Sequence, residues 1–482
     1  MKLIDLLQGM EILDATADLN MEITSVAYDS RKVVAGGLFV AVSGFASDGN
    51  RFIPMAMEKG AVAVVTAKRP QEDVPYILVE SDRLALALIG CNYYDQPAKS
   101  MTLIGVTGTN GKTSVTWLLK QVLEAVTGEK AGLIGTMENR IGDEVIPTER
   151  TTPESFELQG LFARMRDAGC RYAIMEVSSH AIALHRVGGV HFDVAAFTNL
   201  TEDHLDFHKT MEHYCDTKAE LFARCDKAVL NSDDGWFDRI GAQAQCPVIT
   251  TSVKAAADLY AKDVELLSDG IRFTAVSDGQ ETPIRLPIPG RFTVYNVLTV
   301  LGIVKAMGID LNVAAKALEQ VQGVKGRVEV VPTPNQPYTV LIDYAHTPDG
   351  LENVIRSVRD FCKGRIITVF GCGGDRDPIK RPIMGRIGVE LSDVAIITSD
   401  NPRTEDPDSI IDDILAGVTA EMGDYLTISD RRQAIRHAMD MAQENDIIIL
   451  AGKGHENYQE IHGVKHHLDE REEVAAHLSE KR

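Results

Sequence analysis

The chain has 482 residues, 44% hydrophobic and 25% charged, a composition of folded globular protein and more chain than one hydrophobic core usually serves. A net charge of −21 argues against a nucleic-acid partner, and no apolar run approaches the roughly twenty residues that span a bilayer. The seven cysteines show no paired metal spacing and read as reduced thiols; the acidic first twenty residues do not read as a signal peptide, so the cytoplasm is the expected compartment.

In chain order, short apolar strands at 38–42 and 61–65, with glycine turns at Gly36-Gly37 and Gly60, make a small α/β unit over residues 1–100. A second unit, 101–325, opens with the decisive stretch Gly105-Val106-Thr107-Gly108-Thr109-Asn110-Gly111-Lys112-Thr113-Ser114. It lies between an apolar strand, 103–106, and a helix whose Val115, Leu118, Leu119, Val122, Leu123 and Val126 share one face. A glycine loop that opens into a helix N-terminus binds phosphate through free N–H groups and the helix dipole. Lys112 can reach the terminal phosphates and the Thr113 hydroxyl can take a magnesium site. The pattern is not a strict Walker A, because Val106 occupies its first glycine position.

Further along, the strand 172–175 ends on Glu176, where such folds place a magnesium-contacting carboxylate. The strand 194–197 leads into a segment dense in metal-capable groups, with His204 among them. The next helix carries Met211, Tyr214, Cys215, Leu221 and Phe222 as an apolar stripe, and Lys218 falls on that stripe. Two readings stand. Lys218 snorkels to water, or it is a desolvated amine of lowered pKa that reacts with carbon dioxide to give a carbamate ligand for magnesium; the pattern alone favours snorkelling. The segment Gly323-Val324-Lys325-Gly326-Arg327 makes a hinge into a third unit, 326–482. There the strands 366–370, 394–398 and 447–450 run into Gly373-Gly374-Asp375-Arg376, Asp400-Asn401-Pro402-Arg403 and Gly452-Lys453-Gly454-His455-Glu456. Alternating strands and helices imply a mostly parallel sheet with its ligand site beyond the strands' carboxyl ends, so the three clusters are expected in one pocket.

Gly-Thr-Asn-Gly-Lys-Thr, Glu-Val-Ser-Ser-His, Asn-Leu-Thr-Glu-Asp-His-Leu-Asp, Asp-Tyr-Ala-His-Thr-Pro and Asp-Asn-Pro-Arg, in this order, resemble the Mur ligases of cell-wall synthesis, nearest the branch that adds the third residue of the stem peptide. The resemblance implies a three-domain α/β fold: an N-terminal domain for the uridine nucleotide, a central P-loop ATPase domain and a Rossmann-like C-terminal domain that brings the amino acid. It implies ATP and Mg2+ as cofactors, with Gly108, Thr109, Asn110, Gly111, Lys112, Thr113, Ser114, Asn296, Arg327, Asp343 and His346 at the nucleotide. It further implies UDP-N-acetylmuramoyl-L-alanyl-D-glutamate as acceptor, meeting Ser30, Thr151, Thr152, Ser178 and Arg186. Arg376, Asp400, Asn401, Arg403, Gly452 and Glu456 would meet meso-2,6-diaminopimelate. Lys112, Glu176, His204 and Lys218 are the implied catalytic set, with Thr113, Glu176, His204 and carbamylated Lys218 at the metal. No membrane or nucleic-acid partner is implied, and a monomer is expected.

Asn50, Leu184, Thr293 and Lys325 differ from the residues the family usually carries at their positions. The chemistry implied is phosphoryl transfer to a carboxylate, followed by amine attack on the acyl phosphate. Arg403 gives the distal carboxylate of diaminopimelate a two-pronged partner and offers the bare ammonium of lysine only repulsion, and Glu456 complements the distal amine. A folate polyglutamate synthetase and a nucleotide-binding regulator without catalysis are the rival readings. The Asp29-Ser30-Arg31 segment in a complete N-terminal domain weighs against the first, and the set Lys112, Glu176, His204 and Lys218 against the second.

Overall fold

The computed structural model describes residues 1–44, 48–419 and 421–480. The fold is α/β, and the chain divides into two compact units: 1–252 with 299–310, and 253–298 with 311–482.

The first unit begins with five strands, β1 (Ile12–Ala15), β2 (Val26–Ala27), β3 (Gly37–Val40), β4 (Ala61–Thr66) and β5 (Tyr76–Val79), ordered β1-β5-β4-β3-β2. All neighbours are parallel except β1 against β5. Eight more strands follow: β6 (Thr102–Thr107), β7 (Ala131–Ile134), β8 (Asn139–Ile141), β9 (Glu144–Ile146), β10 (Tyr172–Glu176), β11 (Phe192–Phe197), β12 (Cys225–Asn231) and β13 (Val248–Ser252). They run in the order β13-β12-β11-β6-β10-β7-β8-β9, parallel from β13 to β7 and antiparallel at the β8 and β9 edge. Strands covered on both faces read as unbroken apolar runs, and β6, β10 and β11 are buried almost throughout. One consequence positions the site: β6 lies between β10 and β11, so the loops after all three meet at one edge.

The second unit holds an antiparallel set, β14 (Leu259–Leu267), β15 (Gly270–Ser277) and β16 (Gln280–Leu286). Its main sheet consists of β17 (Glu329–Val331), β18 (Thr339–Asp343), β19 (Ile366–Phe370), β20 (Val394–Ile397), β21 (Asp424–Thr427) and β22 (Ile447–Ala451), ordered β17-β18-β22-β19-β20-β21. All neighbours are parallel except β17. A hairpin, β23 (Tyr458–Ile461) with β24 (Val464–His467), follows. Apolar clusters cover both faces of the sheet, one containing Leu341, Phe370, Ile397 and Ile449, the other Val340, Val369, Ile396 and Ile448. Because β22 sits between β18 and β19, the chain reverses direction across the sheet there, which opens a crevice at the carboxyl ends.

Candidate functional site

In the first unit, β6 passes through Gly108 to Gly111 into the helix Lys112–Thr127. Gly108 has φ +147°, and a Cβ there would lie 1.9 Å from the Thr198 hydroxyl, so this position requires glycine. The loop is tied to the end of β11: Thr109 N–H donates to the Asn199 carbonyl (2.8 Å), Asn110 N–H to Asn199 Oδ1 (2.9 Å), and Thr198 Oγ1 to the Asn110 carbonyl (2.6 Å). Thr113 and Ser114 lie half-buried in the first turn of the helix, where N–H groups face the loop.

Two lysines meet on this loop. Lys112 Nζ donates to the carbonyls of Gly108 (2.9 Å) and Thr109 (2.8 Å), and Lys218 Nζ donates to the same Gly108 carbonyl (2.9 Å). Lys218 lies on the helix Met211–Ala219 and is 1% exposed, so it does not snorkel to water. Its amine stands 4.6 Å from the centre of the Tyr214 ring, whose hydroxyl lies 3.3 Å from Thr109 Oγ1. Burial first, and the neighbouring Lys112 charge second, push the Lys218 amine well below its ordinary pKa. A neutral amine is the form that attacks carbon dioxide. Leu221 and Phe222, expected on the same helix, fall in a 3-10 turn, Glu220–Ala223, that closes it.

Glu176 ends β10 at 1% exposure, accepting from Thr136 N–H (2.9 Å) and Thr136 Oγ1 (2.9 Å). Thr136 Oγ1 also reaches Thr151 Oγ1 (3.0 Å). Thr152 donates to the Glu176 carbonyl (2.8 Å) and accepts from Ser178 N–H (3.2 Å), and Arg186 donates to the Thr152 carbonyl (3.2 Å). Thr151, Thr152, Glu176, Ser178 and Arg186 therefore form one patch. Glu154, which the motifs did not single out, anchors it: its carboxylate pairs with Arg186 (2.9 Å), Arg150 (2.9 Å) and Arg83 (3.6 Å). Three cations around one carboxylate leave an excess positive charge suited to an acidic ligand. Burial, with Arg150 and Arg83 nearby, lowers the Arg186 pKa.

His204 sits at φ +53° before the short helix Leu205–His208, its side chain 46% exposed and 3.4 Å from Asp203. Its ring packs edge-on against His180 at 4.9 Å. No three His, Cys, Asp or Glu side chains gather as a metal-holding group among the described residues. A hard cation such as magnesium takes oxygen ligands. The Glu176 carboxylate and Thr113 hydroxyl supply that chemistry, and a carbamate on Lys218 would add two more oxygens. Ser30 is 6% exposed in the turn Ser30–Lys32, its hydroxyl 3.4 Å from Met55 Sδ, with the Asp29 carboxylate capping the turn.

In the second unit, Asp343 ends β18 and accepts from Val328 N–H (2.8 Å); burial raises its carboxyl to about 6. Arg327 lies over the Tyr344 ring at 5.7 Å, and exposed His346 packs on the same ring at 4.6 Å. Asn296 is buried on the helix Arg291–Ala306. At the neighbouring strand ends, Asn401 Nδ2 donates to Glu456 (2.9 Å), and the Lys453 ammonium, 0% exposed, reaches Asp400, Asn401 and Glu456. A Cβ on Gly452, φ +115°, would approach Asp400 Oδ2 to 2.9 Å. Arg403 is not a bare guanidinium: its Nε donates to Glu460 (3.2 Å) and its Nη1 to the Gly374 carbonyl (2.7 Å). Arg376 is exposed, bonded to the Asp375 carbonyl (3.4 Å), and is not drawn into this cluster. In the sequence Lys453 stands out only as part of its polar cluster, with no role of its own, and Glu460 is not singled out. A lysine between two glycines after a buried strand was the available signal for the first; nothing marked the second.

Three family models match in succession: "Mur ligase family, catalytic domain" over 22–94, "Mur ligase middle domain" over 106–304 and "Mur ligase, glutamate ligase domain" over 326–454. A Clostridium tetani protein named UDP-N-acetylmuramoyl-L-alanyl-D-glutamate–2,6-diaminopimelate ligase is 47% identical, covering 100% of each chain. A solved structure of a ligase of that name has a TM-score of 0.78 at 31% identity, over 100% of this chain and 99% of that one. MurF ligase from Thermotoga maritima, solved in complex with ADP, shares the fold with a TM-score of 0.60 at 18% identity, over 95% of this chain and 98% of that one.

Proposed function

Because the chain belongs to the Mur ligase family, we propose that it is an ATP-dependent ligase joining meso-2,6-diaminopimelate to UDP-N-acetylmuramoyl-L-alanyl-D-glutamate in peptidoglycan precursor synthesis. The geometric observation that carries this reading is the phosphate loop with two lysine amines on the Gly108 carbonyl, beside a strand end bearing Glu176. The name of the Clostridium tetani relative supplies the substrates. Three domains, 1–100, 101–325 and 326–482, are the reading that the succession of matched segments supports. A cytoplasmic monomer is part of the same proposal and rests on the family resemblance alone. No helix among the described residues is long and apolar enough to cross a membrane.

An amide does not form from a carboxylate and an amine at neutral pH without activation, because oxide is a poor leaving group. The loop N–H groups and Lys112 hold the ATP phosphates, and the acceptor's D-glutamate carboxylate attacks the γ-phosphorus in line, releasing ADP. Thr151, Thr152, Ser178 and Arg186 orient that carboxylate, with Arg186 as its charge partner. Magnesium, held by Thr113, Glu176, His204 and carbamylated Lys218, would draw negative charge from the phosphate oxygens. The carbamate forms when the Lys218 nitrogen attacks the carbon of CO2 and loses one proton. Asp400, Asn401, Arg403, Gly452 and Glu456 hold the amino acid, whose amine attacks the acyl carbon and expels phosphate.

An amino-acid panel with the muramoyl dipeptide and ATP, read by phosphate release, tests the assignment. Diaminopimelate is expected to be strongly preferred; equal turnover of lysine overturns the substrate choice. Without an amino acid, hydroxylamine should trap the acyl phosphate as a hydroxamate, whereas release of AMP and pyrophosphate would show adenylation instead.

A further inference from the structure

We infer that Lys453 is a positioning residue for the incoming amino acid: its buried ammonium fixes Asp400, Asn401 and Glu456 in one geometry without touching the ligand itself. This rests on the ligase reading above. A lysine seldom lies wholly inside a protein unless its charge is met, and Lys453 is 0% exposed. Its three N–H donors face three oxygens: Asn401 Oδ1 at 3.1 Å, Asp400 Oδ1 at 3.2 Å and Glu456 Oε2 at 3.4 Å. Those oxygens come from the ends of two strands, β20 and β22, which are separated in the sheet by β19. The Asn401 amide closes the ring by donating to the same Glu456 Oε2 at 2.9 Å, and Glu460 N–H donates to Asn401 Oδ1 at 2.9 Å.

The arrangement commits one oxygen of each carboxylate inward. Among the hydrogen bonds of the described residues, Asp400 Oδ2 and Glu456 Oε1 carry none, and these are the atoms left for ligand ammonium groups. Two carboxylates this close to one nitrogen repel each other, and the ammonium between them removes that cost; with Lys453 absent they would splay and the ligand would have to regather them. Lys453 spends all three donors on protein, so its effect on the substrate passes through Asp400, Asn401 and Glu456. A buried ion pair is by itself weak evidence for stability. The choice of partners, each a residue already placed at the amino acid, gives this one its role.

The test uses Lys453→Met and Lys453→Arg in the full chain, with two readouts. Ligation kinetics give KM and kcat for diaminopimelate, and hydroxamate formation from ATP, the muramoyl dipeptide and hydroxylamine reports activation without an amino acid. Lys453→Met should raise the KM for diaminopimelate about ten- to hundredfold, the loss expected when charge-assisted bonds are released. Hydroxamate formation should stay within about twofold of the parent, and Lys453→Arg should recover most of the KM. An unchanged KM in a Met variant that still forms hydroxamate overturns the inference. So does loss of hydroxamate formation in the Met variant, which would make Lys453 a determinant of the fold, or an Arg variant no better than Met. Failure of the parent chain to form hydroxamate speaks instead against the ligase reading.

Discussion

Replacing Lys218 separates its chemical role from its structural one. The Gly108 carbonyl keeps its bond from Lys112 Nζ at 2.9 Å when Lys218 is lost, so no buried acceptor is orphaned. Methionine fills nearly the same volume with no amine to desolvate, so Lys218→Met should leave stability within about 1.5 kcal/mol of the parent, measured by urea unfolding. Activity should behave differently. If a carbamate on Lys218 supports the charge of the transferring phosphoryl group, its loss should cost about 2.7 to 4 kcal/mol, or roughly a hundred- to a thousandfold in kcat. Phosphate release with ATP, the muramoyl dipeptide and diaminopimelate reads this directly. Lys218→Ala opens space beside the Tyr214 ring, and formate or acetate entering it should restore part of the activity by supplying an anionic oxygen. Parent enzyme equilibrated with 13C-bicarbonate should show a carbamate carbon signal that Lys218→Met lacks. A Met variant within about threefold of parent kcat, or a parent enzyme with no carbamate signal under turnover conditions, would refute the reasoning.

Three more outcomes are expected. Arg403→Ala should raise the KM for diaminopimelate far more than that for lysine, by about ten- to hundredfold from one charge-assisted bond; because Glu460 already pairs with Arg403, repulsion of lysine adds less than a bare guanidinium would. Asp343 has its carboxyl raised by burial from 3.8 to about 6, so the folded chain holds that proton more tightly than the unfolded one: the stabilisation is full below pH 3.8 and is lost as pH rises through 6. Asp343→Asn should therefore gain on the parent across that window by about 3 kcal/mol in urea unfolding, and a parallel pH dependence of the two proteins would contradict it. Thr152→Val removes a donor to the Glu176 carbonyl and an acceptor for Ser178 N–H, and should cost about 1 to 3 kcal/mol of stability and raise the KM for the muramoyl dipeptide; unchanged values for both would remove Thr152 from the site.

Strands were legible in the sequence wherever burial on both faces makes a short apolar run: 103–106 became Thr102–Thr107, 172–175 became Tyr172–Glu176 and 447–450 became Ile447–Ala451. The loops after them were legible as chemistry because their residue types suit phosphates and charged amino acids. What stayed hidden depends on partners distant in the chain. Lys218 looked like a snorkelling residue because its acceptor, the Gly108 carbonyl, lies 110 residues away. The break of its helix at Glu220 left no periodic mark. Glu154 gathers arginines at 83, 150 and 186, and Glu460 meets Arg403 only through a hairpin that follows the last strand of the main sheet. The antiparallel strands β14 to β16 passed unread because their alternating pattern falls outside the motif-bearing segments.

The two buried lysines show why residue type and burial alone do not assign a role. Lys218 is buried beside a second lysine, and desolvation first and the Lys112 charge second favour the uncharged amine and make it a nucleophile for carbon dioxide, although a backbone carbonyl and an aromatic ring also face it. Lys453 is as deeply buried but faces two carboxylates and an amide oxygen. Those neighbours use its charge, and an added carboxyl group there would meet two anions at hydrogen-bond distance. Carbamylation is therefore expected at Lys218 and disfavoured at Lys453, although both are shielded from solvent. The partners on each nitrogen divide the labour: one lysine acquires oxygens for a metal, and the other keeps existing oxygens in place for an amino acid.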